Sequence, residues 1–333
     1  MNDLTFRAMI VREQEDGSFT RAIEERTIND LPDNPVTVKV HYSSLNYKDA
    51  LSATGNKGVT RNYPHTPGID VAGEVVASDS ADFSVGDKVL VICHDLGANT
   101  DGGYGQYIRV PAEWISKCPE NLSLREAMIY GTAGFTAAMS VQALLDHDVT
   151  PDKGEVLVTG ATGGVGSVAV GILGKLGYNV VAATGKQDQV EFLKKLGATS
   201  IVGREEVTDE SKRPMLKGRW AGVVDSVGGS MLVTALKATQ YGGSVTCCGL
   251  VASPSLNATV FPFILRGINL LGIDAASCDI SVRPPLWDKL ANEWQLSQLE
   301  SMVANECTLD TLEPEIQKIL QGQQRGRVVV KLL

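Results

Sequence analysis

One segment constrains the fold of this chain more than any other. Residues Val156 to Gly166 read Val-Leu-Val-Thr-Gly-Ala-Thr-Gly-Gly-Val-Gly. The three apolar residues at its start predict a short buried strand. After the glycines, Val165, Val168, Ala169, Ile172, Leu173 and Leu176 recur at the spacing of one helix face. Gly177 marks the end of that helix. A strand that runs through a glycine-rich turn into a helix is the setting of a dinucleotide-phosphate loop. Glycine lets backbone approach a pyrophosphate and lets the helix pack tightly on the strand. The exposed N–H groups and positive end of the helix then hold the phosphates. The first fingerprint position is Ala161 rather than glycine, while Gly163 and Gly166 hold the other two. Cofactor contacts are therefore expected from Thr162, Gly163, Gly164, Val165 and Gly166.

The surrounding pattern extends this to a whole domain. Strand-like runs at Val180–Ala183, Ile201–Val202, Gly222–Asp225, Ser244–Cys248 and Leu270–Ile273 follow Val156–Val158, with a helical run at Val190, Leu193 and Leu196 closed by Gly197. Alternation of this kind predicts a doubly wound parallel sheet in an α/β protein. The first ~125 residues have a different texture. Val36–Val40, Val71–Val76, Lys88–Ile92 and Gln106–Val110 are β-type runs separated by turn residues, which predicts a barrel-like β domain. Near the end, Leu286–Leu299 reads as an amphipathic stretch and Arg327–Lys331 as a last strand. The expected division is an interrupted one, 1–128 with 277–333 as one domain and 129–276 as the dinucleotide domain. The 333 residues suffice for two domains at roughly 100–200 residues each.

Which dinucleotide follows from the second strand. An NAD site usually carries an acid about 20 residues past the loop, to bind the ribose 2′-hydroxyl. Here the strand ends Ala183-Thr184-Gly185-Lys186, and Arg204 follows the third strand. A carboxylate would repel a 2′-phosphate, whereas hydroxyl, ammonium and guanidinium groups bind it. Thr184, Gly185, Lys186 and Arg204 thus point to NADPH.

Charge sets limits on partners. A net charge of −9, without a dense Lys/Arg run, argues against nucleic acid and anionic membrane. No apolar run is expected to reach the ~18–20 residues of a membrane helix, and the N-terminus lacks the core of a signal peptide. The six cysteines form no Cys-x-x-Cys pair and read as reduced thiols, so a cytoplasmic protein is expected.

Four motifs occur in one order: Ser43-Ser44-Leu45-Asn46-Tyr47-Lys48-Asp49, Pro67-Gly68-Ile69-Asp70-Val71-Ala72-Gly73, Gly131-Thr132-Ala133-Gly134-Phe135-Thr136-Ala137 and the Gly160–Gly166 loop. Their order resembles the medium-chain dehydrogenase/reductase superfamily, in its quinone oxidoreductase-like branch. Ser43–Leu51 and Phe261–Arg266 are most similar to the NADPH-dependent acrylyl-CoA reductases. The resemblance spans nearly the whole chain. It implies a GroES-like β-barrel domain, a Rossmann domain, an active-site cleft between them and a homodimer. It also places Asn46 and Tyr47 beside the nicotinamide as catalytic candidates, with Tyr47 a cofactor contact and either a hydrogen-bond donor or a packing residue. Asp49 is the third catalytic candidate, of a residue type that fits orienting its neighbours or capping a turn better than acting as an acid. Further cofactor contacts carried over are Thr132, Thr136, Gly249, Leu250, Ile264, Ala275, Gln323 and Arg327.

In the alcohol dehydrogenases of this superfamily, a Cys, a His and a later Cys hold catalytic zinc. The corresponding positions here resemble Asn46, Ile69 and a stretch near Thr132, which do not supply soft N/S ligands. No metal is expected. Without zinc to stabilise an alkoxide, alcohol dehydrogenation is disfavoured. Hydride addition to an activated C=C bond or a quinone remains, with hydrogen-bond donors for the enolate oxygen and a proton for the α-carbon. The expected reaction is reduction of acrylyl-CoA to propanoyl-CoA. The alternatives are a quinone or enone reductase with the same cofactor, and a non-catalytic NADPH-binding protein. Lys57, Arg61 and Arg266 are candidates for the phosphates of a CoA ester.

Overall fold

The computed structural model describes residues 4–333. Two compact units are present. The first runs to Thr132 and takes up 276–293 and 299–333, and the second comprises 133–275 and 294–298.

The first unit opens with a hairpin of β1 (Thr5–Glu13) and β2 (Phe19–Thr27). Phe6, Ala8 and Ile10 alternate inward from β1 and pack with Ile28 and Leu31. Then come β3 (Val36–Ser44), α1 (Tyr47–Ala53), β4 (Asp70–Ser78), β5 (Lys88–Ile92), β6 (Tyr107–Val110) and β7 (Ile115–Lys117). Antiparallel pairs join β3 to β4, β4 to β5 and β5 to β7, with β6 also on β3. Valines at 36, 38, 40, 71, 75, 89 and 91 are buried in the resulting core.

Residues Leu124–Asp146 (α2) are helical on both sides of Gly131, whose φ of 52° and ψ of −159° break the helix. A side chain cannot adopt this conformation cheaply. Among the described residues α2 is the one helix long and apolar enough to cross a membrane, yet 72% of its most apolar window is buried inside the protein, as in a core helix.

In the second unit follow β8 (Glu155–Val158), α3 (Gly164–Lys175), β9 (Asn179–Ala183), α4 (Val190–Leu196), β10 (Ser200–Val202), β11 (Trp220–Asp225), α5 (Gly229–Ala238), β12 (Thr239–Cys247), α6 (Phe261–Arg266) and β13 (Asn269–Gly272). The sheet order is β10-β9-β8-β11-β12-β13, and every pair is parallel. This is the doubly wound order in which the chain reverses direction between its first and fourth strands, here β8 and β11. Short helices provide the crossovers that parallel pairing demands.

The chain ends with α7 (Arg283–Ala291), β14 (Val303–Thr308), α8 (Glu313–Leu320) and β15 (Arg327–Lys331). β15 lies antiparallel to β3, with Val329 opposite Ser44, and β14 runs parallel beside it. The amphipathic stretch expected over 286–299 differs from this. The helix begins at Arg283 and stops at Ala291, and residues 294–298 belong to the second unit. Asn292, at φ −129° and ψ −91°, leaves helical space and ends it.

Candidate active site

The dinucleotide loop lies at the reversal point of the second unit's sheet. Thr159, just past β8, donates its hydroxyl to Asp225 Oδ1 at the end of β11 (2.7 Å), and Gly228 N–H donates to Asp225 Oδ2 (2.8 Å). Ser226 Oγ donates back to the Thr159 carbonyl at 3.1 Å. These bonds clamp the two strand ends together where such sheets bind ligands. Burial pushes the Asp225 carboxyl above the usual carboxylate range, while its donors from Thr159 and Gly228 oppose that shift. Helix α3 starts at Gly164 with Gly163 as N-cap and no side-chain cap. Its first N–H groups are thus left to backbone, solvent or an anion. Gly163, Gly164 and Val165 are half-buried. At Gly166 a Cβ would stand 2.3 Å from the Gly160 carbonyl oxygen, so only glycine lets the helix pack on the loop.

Beside this loop stands a cationic corner. Thr184 is buried, and its Oγ1 accepts the Lys186 N–H at 3.0 Å and lies 3.5 Å from Thr162 Oγ1. The Arg204 guanidinium crosses Gly185 closely enough that a Cβ there would meet Nε at 2.7 Å. Arg204 is exposed and forms no ion pair among the described residues. The Lys186 ammonium is held below its ordinary range by burial first. Asp188 opposes that, and Arg204 adds to it. Two cations and a bared helix N-terminus fit a dinucleotide that carries an extra phosphate. Of the other expected contacts in this unit, Thr136 and Ala275 are buried, Gly249 is half-buried, and Leu250 and Ile264 are 62% and 68% exposed.

The first unit holds a second polar constellation, centred on Asp70, which the sequence analysis did not single out. The Asp70 side chain has no exposure. Its carboxylate accepts from Ser44 Oγ, from Asn46 Nδ2 (2.7 Å), from Thr132 N–H (3.0 Å) and from Thr132 Oγ1 (2.5 Å). Arg327 Nη2 stands 3.7 Å away. Asp49, equally buried, accepts from Ile69 N–H (2.7 Å), from Asn46 N–H (2.8 Å) and from Asn46 Nδ2 (3.2 Å). The bond from Asn46 N–H is half of a capping box at the start of α1. Burial raises the Asp49 carboxyl to about 7, with the neighbouring Asp70 charge second. Gly131 makes room for this cluster. A Cβ there would lie 2.4 Å from Asp70 Oδ2, 2.7 Å from Ser44 Oγ and 2.8 Å from Arg327 Nη2.

The cluster takes in three of the residues expected at the site. The Asn46 amide is engaged at both ends: both Nδ2 hydrogens are given to carboxylates, and Oδ1 accepts from Arg327 Nη1 at 3.2 Å. Asp49 has no exposed surface, and its bonds tie it to the start of α1 and to Ile69, in keeping with an orienting or capping role. Arg327, expected at the cofactor, is 2% exposed and spends its donors on the Ile129 carbonyl (2.9 Å), Ser44 Oγ (2.7 Å) and Asn46. Gln323 is exposed. Tyr47 is 38% exposed at the first position of α1, so of the three proposed catalytic side chains it alone reaches the surface. Cys93 and His94 hold consecutive left-handed φ angles of 59° and 52°, an unusual strain for non-glycine residues. Cys93 Sγ lies 3.1 Å from Thr132 Oγ1, and burial pushes its thiol up to about 12, which leaves it a neutral, unreactive group. Asp70 was discoverable from sequence: an acid opens the apolar strand Asp70-Val71-Ala72, where a charge needs buried partners.

The other basic candidates divide. Arg266 is tied to the carbonyls of Lys237 (3.0 Å), Thr239 (2.8 Å) and Leu216, so it serves the fold rather than a CoA phosphate. Lys57 pairs with Glu13 at 2.5 Å and sits over the rings of Phe19 and Tyr63. Arg61 remains exposed. The donor set also bears on metal. No group of three His, Cys, Asp or Glu among the described residues is arranged to hold an ion. At the two positions resembling zinc ligands, Asn46 is fully engaged and Ile69 is apolar.

Two family models match the chain, the alcohol dehydrogenase GroES-like domain over residues 32–120 and the zinc-binding dehydrogenase over residues 164–292. The acrylyl-CoA reductase AcuI of Ruegeria pomeroyi is 46% identical over 98% of both chains. The putative quinone oxidoreductase YhfP of Bacillus subtilis is 46% identical over 93% of this chain and 95% of its own. The YhfP structure has NAD bound and superposes with a TM-score of 0.96, covering 99% of this chain and 100% of that one. The yhdH oxidoreductase of Salmonella enterica, solved in complex with NADP, is 42% identical with a TM-score of 0.95, covering 98% and 100%.

Proposed function

The chain belongs to the medium-chain dehydrogenase/reductase superfamily, in the branch of the acrylyl-CoA reductases and quinone oxidoreductases, and we propose that it reduces the C=C bond of acrylyl-CoA to propanoyl-CoA with NADPH and without zinc. The observation that carries the cofactor is the Lys186–Arg204 corner beside an uncapped α3. Likeness to the Ruegeria acrylyl-CoA reductase supports the substrate. Membership in an oxidoreductase branch sets aside the non-catalytic reading.

NADPH, when bound, supplies a hydride for the β-carbon of the thioester. The chain's own residues hold it and manage charge. Gly163 to Gly166 and the start of α3 receive the pyrophosphate, and Thr184, Lys186 and Arg204 take the 2′-phosphate. As the β-carbon is reduced, negative charge builds on the thioester oxygen. Tyr47 donates a hydrogen bond there, the kind of stabilisation worth most in a water-poor site. The α-carbon then takes a proton drawn ultimately from water, so that one hydride and one solvent proton add across the C=C bond. In a conjugated thioester the charge falls on a carbonyl oxygen, where hydrogen-bond donors suffice without a metal. The donor chemistry agrees, although one matched family is described as zinc-binding. Full acrylyl-CoA-dependent NADPH oxidation after exhaustive chelation is expected. Loss of activity on chelation, restored by zinc, would refute the zinc-free reading.

A quinone substrate is the second reading, supported by equal identity to the putative quinone oxidoreductase. The reading includes a cytoplasmic homodimer. Strand β13 is the last strand of its sheet, and Phe261, Ile264 and Leu265 before it are exposed, an apolar surface next to an open edge. Sedimentation should report the mass of two 35.5 kDa chains. A species of one chain at micromolar concentration would rule the dimer out.

A further inference from the structure

We propose that Asp70 is the positioning residue of the first unit's site and acts on Tyr47 through Asn46. The proposal rests on the reading of Tyr47 as hydrogen-bond donor to the substrate. Among the described residues the hydrogen-bond partners of the Asp70 carboxylate are donors, Ser44 Oγ, Asn46 Nδ2 and the Thr132 N–H and Oγ1, with the Arg327 guanidinium beside them. Such a position calls for a side chain that only accepts, with two oxygens to share among the donors, which an ionised carboxylate provides.

The amide of Asn46 is locked on both ends. Nδ2 is held by Asp70 at 2.7 Å and Asp49 at 3.2 Å, and Oδ1 by Arg327 at 3.2 Å. Asn46 is the N-cap of α1 and Tyr47 the first helical residue, so the lock fixes the direction in which Tyr47 leaves the helix. The same carboxylate holds Thr132, immediately past the break at Gly131. One buried group therefore meets both the segment of Tyr47 and that of Thr132, two of the proposed cofactor contacts of this unit. A buried charge network is a poor way to gain stability alone, since apolar packing does as well or better. What this network adds is a fixed orientation for a side chain that is itself 38% exposed.

The test is a double-mutant cycle of Asp70→Asn and Tyr47→Phe, read as kcat and KM with whichever of acrylyl-CoA and a small quinone the wild-type chain reduces. Asparagine at 70 turns an N–H₂ group against existing donors and frees Asn46. Tyr47→Phe is expected to lower kcat about tenfold, the worth of one hydrogen bond near 1.4 kcal/mol. Asp70→Asn should lower kcat about as much and leave the KM for NADPH within about twofold. The double variant should be little slower than either single one, because both remove the same contact. Multiplied losses, about a hundredfold, would overturn the proposal while leaving Tyr47 in the chemistry. Full activity of Tyr47→Phe would remove Tyr47 itself, and Asp70's action through it. Should Asp70→Asn fail to fold, Ser44→Ala takes its place in the cycle. It removes one donor and keeps the carboxylate, and the same non-additivity with Tyr47→Phe is expected at a few-fold loss, with multiplied losses again overturning the proposal.

Discussion

Replacing Lys186 and Arg204 together by alanine should raise the KM for NADPH by about 10²–10⁴-fold and leave that for NADH within about threefold. Each cation offers a charge-assisted hydrogen bond to a phosphate, worth about 1.5–3 kcal/mol, and two such bonds give that range. The structure places the two groups at one corner, with the Arg204 side chain lying across Gly185 and the Lys186 ammonium already disfavoured by burial and by Arg204. A pair of crowded cations gains most from a dianion that neutralises both. NADH lacks the 2′-phosphate and so has little to lose. The relative YhfP was solved with NAD bound, which makes the NADH arm decisive for this chain. Equal losses with both cofactors would mean that the two residues hold the fold or the pyrophosphate, and that the preference for NADPH lies elsewhere.

Arg327→Leu should destabilise the first unit by about 3–5 kcal/mol, the usual result of removing one partner from a buried charge pair. Arg327 is 2% exposed, and its loss leaves Asp70 without a counter-ion and the Ile129 carbonyl without its guanidinium donor. At about 2–4 °C per kcal/mol for a unit of this size, the melting temperature of that unit should fall on the order of 10 °C. Calorimetry of the intact chain would show it. A normal melting profile with a raised KM for NADPH would restore Arg327 to the cofactor contacts expected from the sequence.

The two sites differed in how readily they could be read. The dinucleotide loop is local: strand, glycines and helix lie between Glu155 and Lys175, and Lys186 follows just past the next strand. Periodicity and glycine spacing therefore carried the doubly wound unit nearly strand for strand. The Asp70 cluster is non-local. Its members come from β3, the residue before α1, β4, the Gly131 break and β15, and no spacing rule joins Ser44 to Arg327. For the same reason Asn46 was expected beside the nicotinamide, and Asp49 as an orienting or capping group whose partners no spacing names. Only the contacts show that the polarity of both is spent inside. The hairpin of β1 and β2 also went unread, because β2 alternates Arg21, Glu24, Glu25 and Arg26 with few apolar residues and lacks a buried-strand signature. Strand β14, with Glu306 and Asn305, is hidden in the same way.

The central claim is NADPH-dependent reduction of acrylyl-CoA, and one measurement tests it most directly: NADPH oxidation with acrylyl-CoA and with a small quinone, side by side at matched enzyme. The expected kcat/KM for acrylyl-CoA is at or above about 10⁴ M⁻¹s⁻¹, typical of an enzyme with its own substrate, with a far lower value for the quinone. Slow acrylyl-CoA turnover beside fast quinone reduction would contradict it and make the chain a quinone reductase built on the same two units.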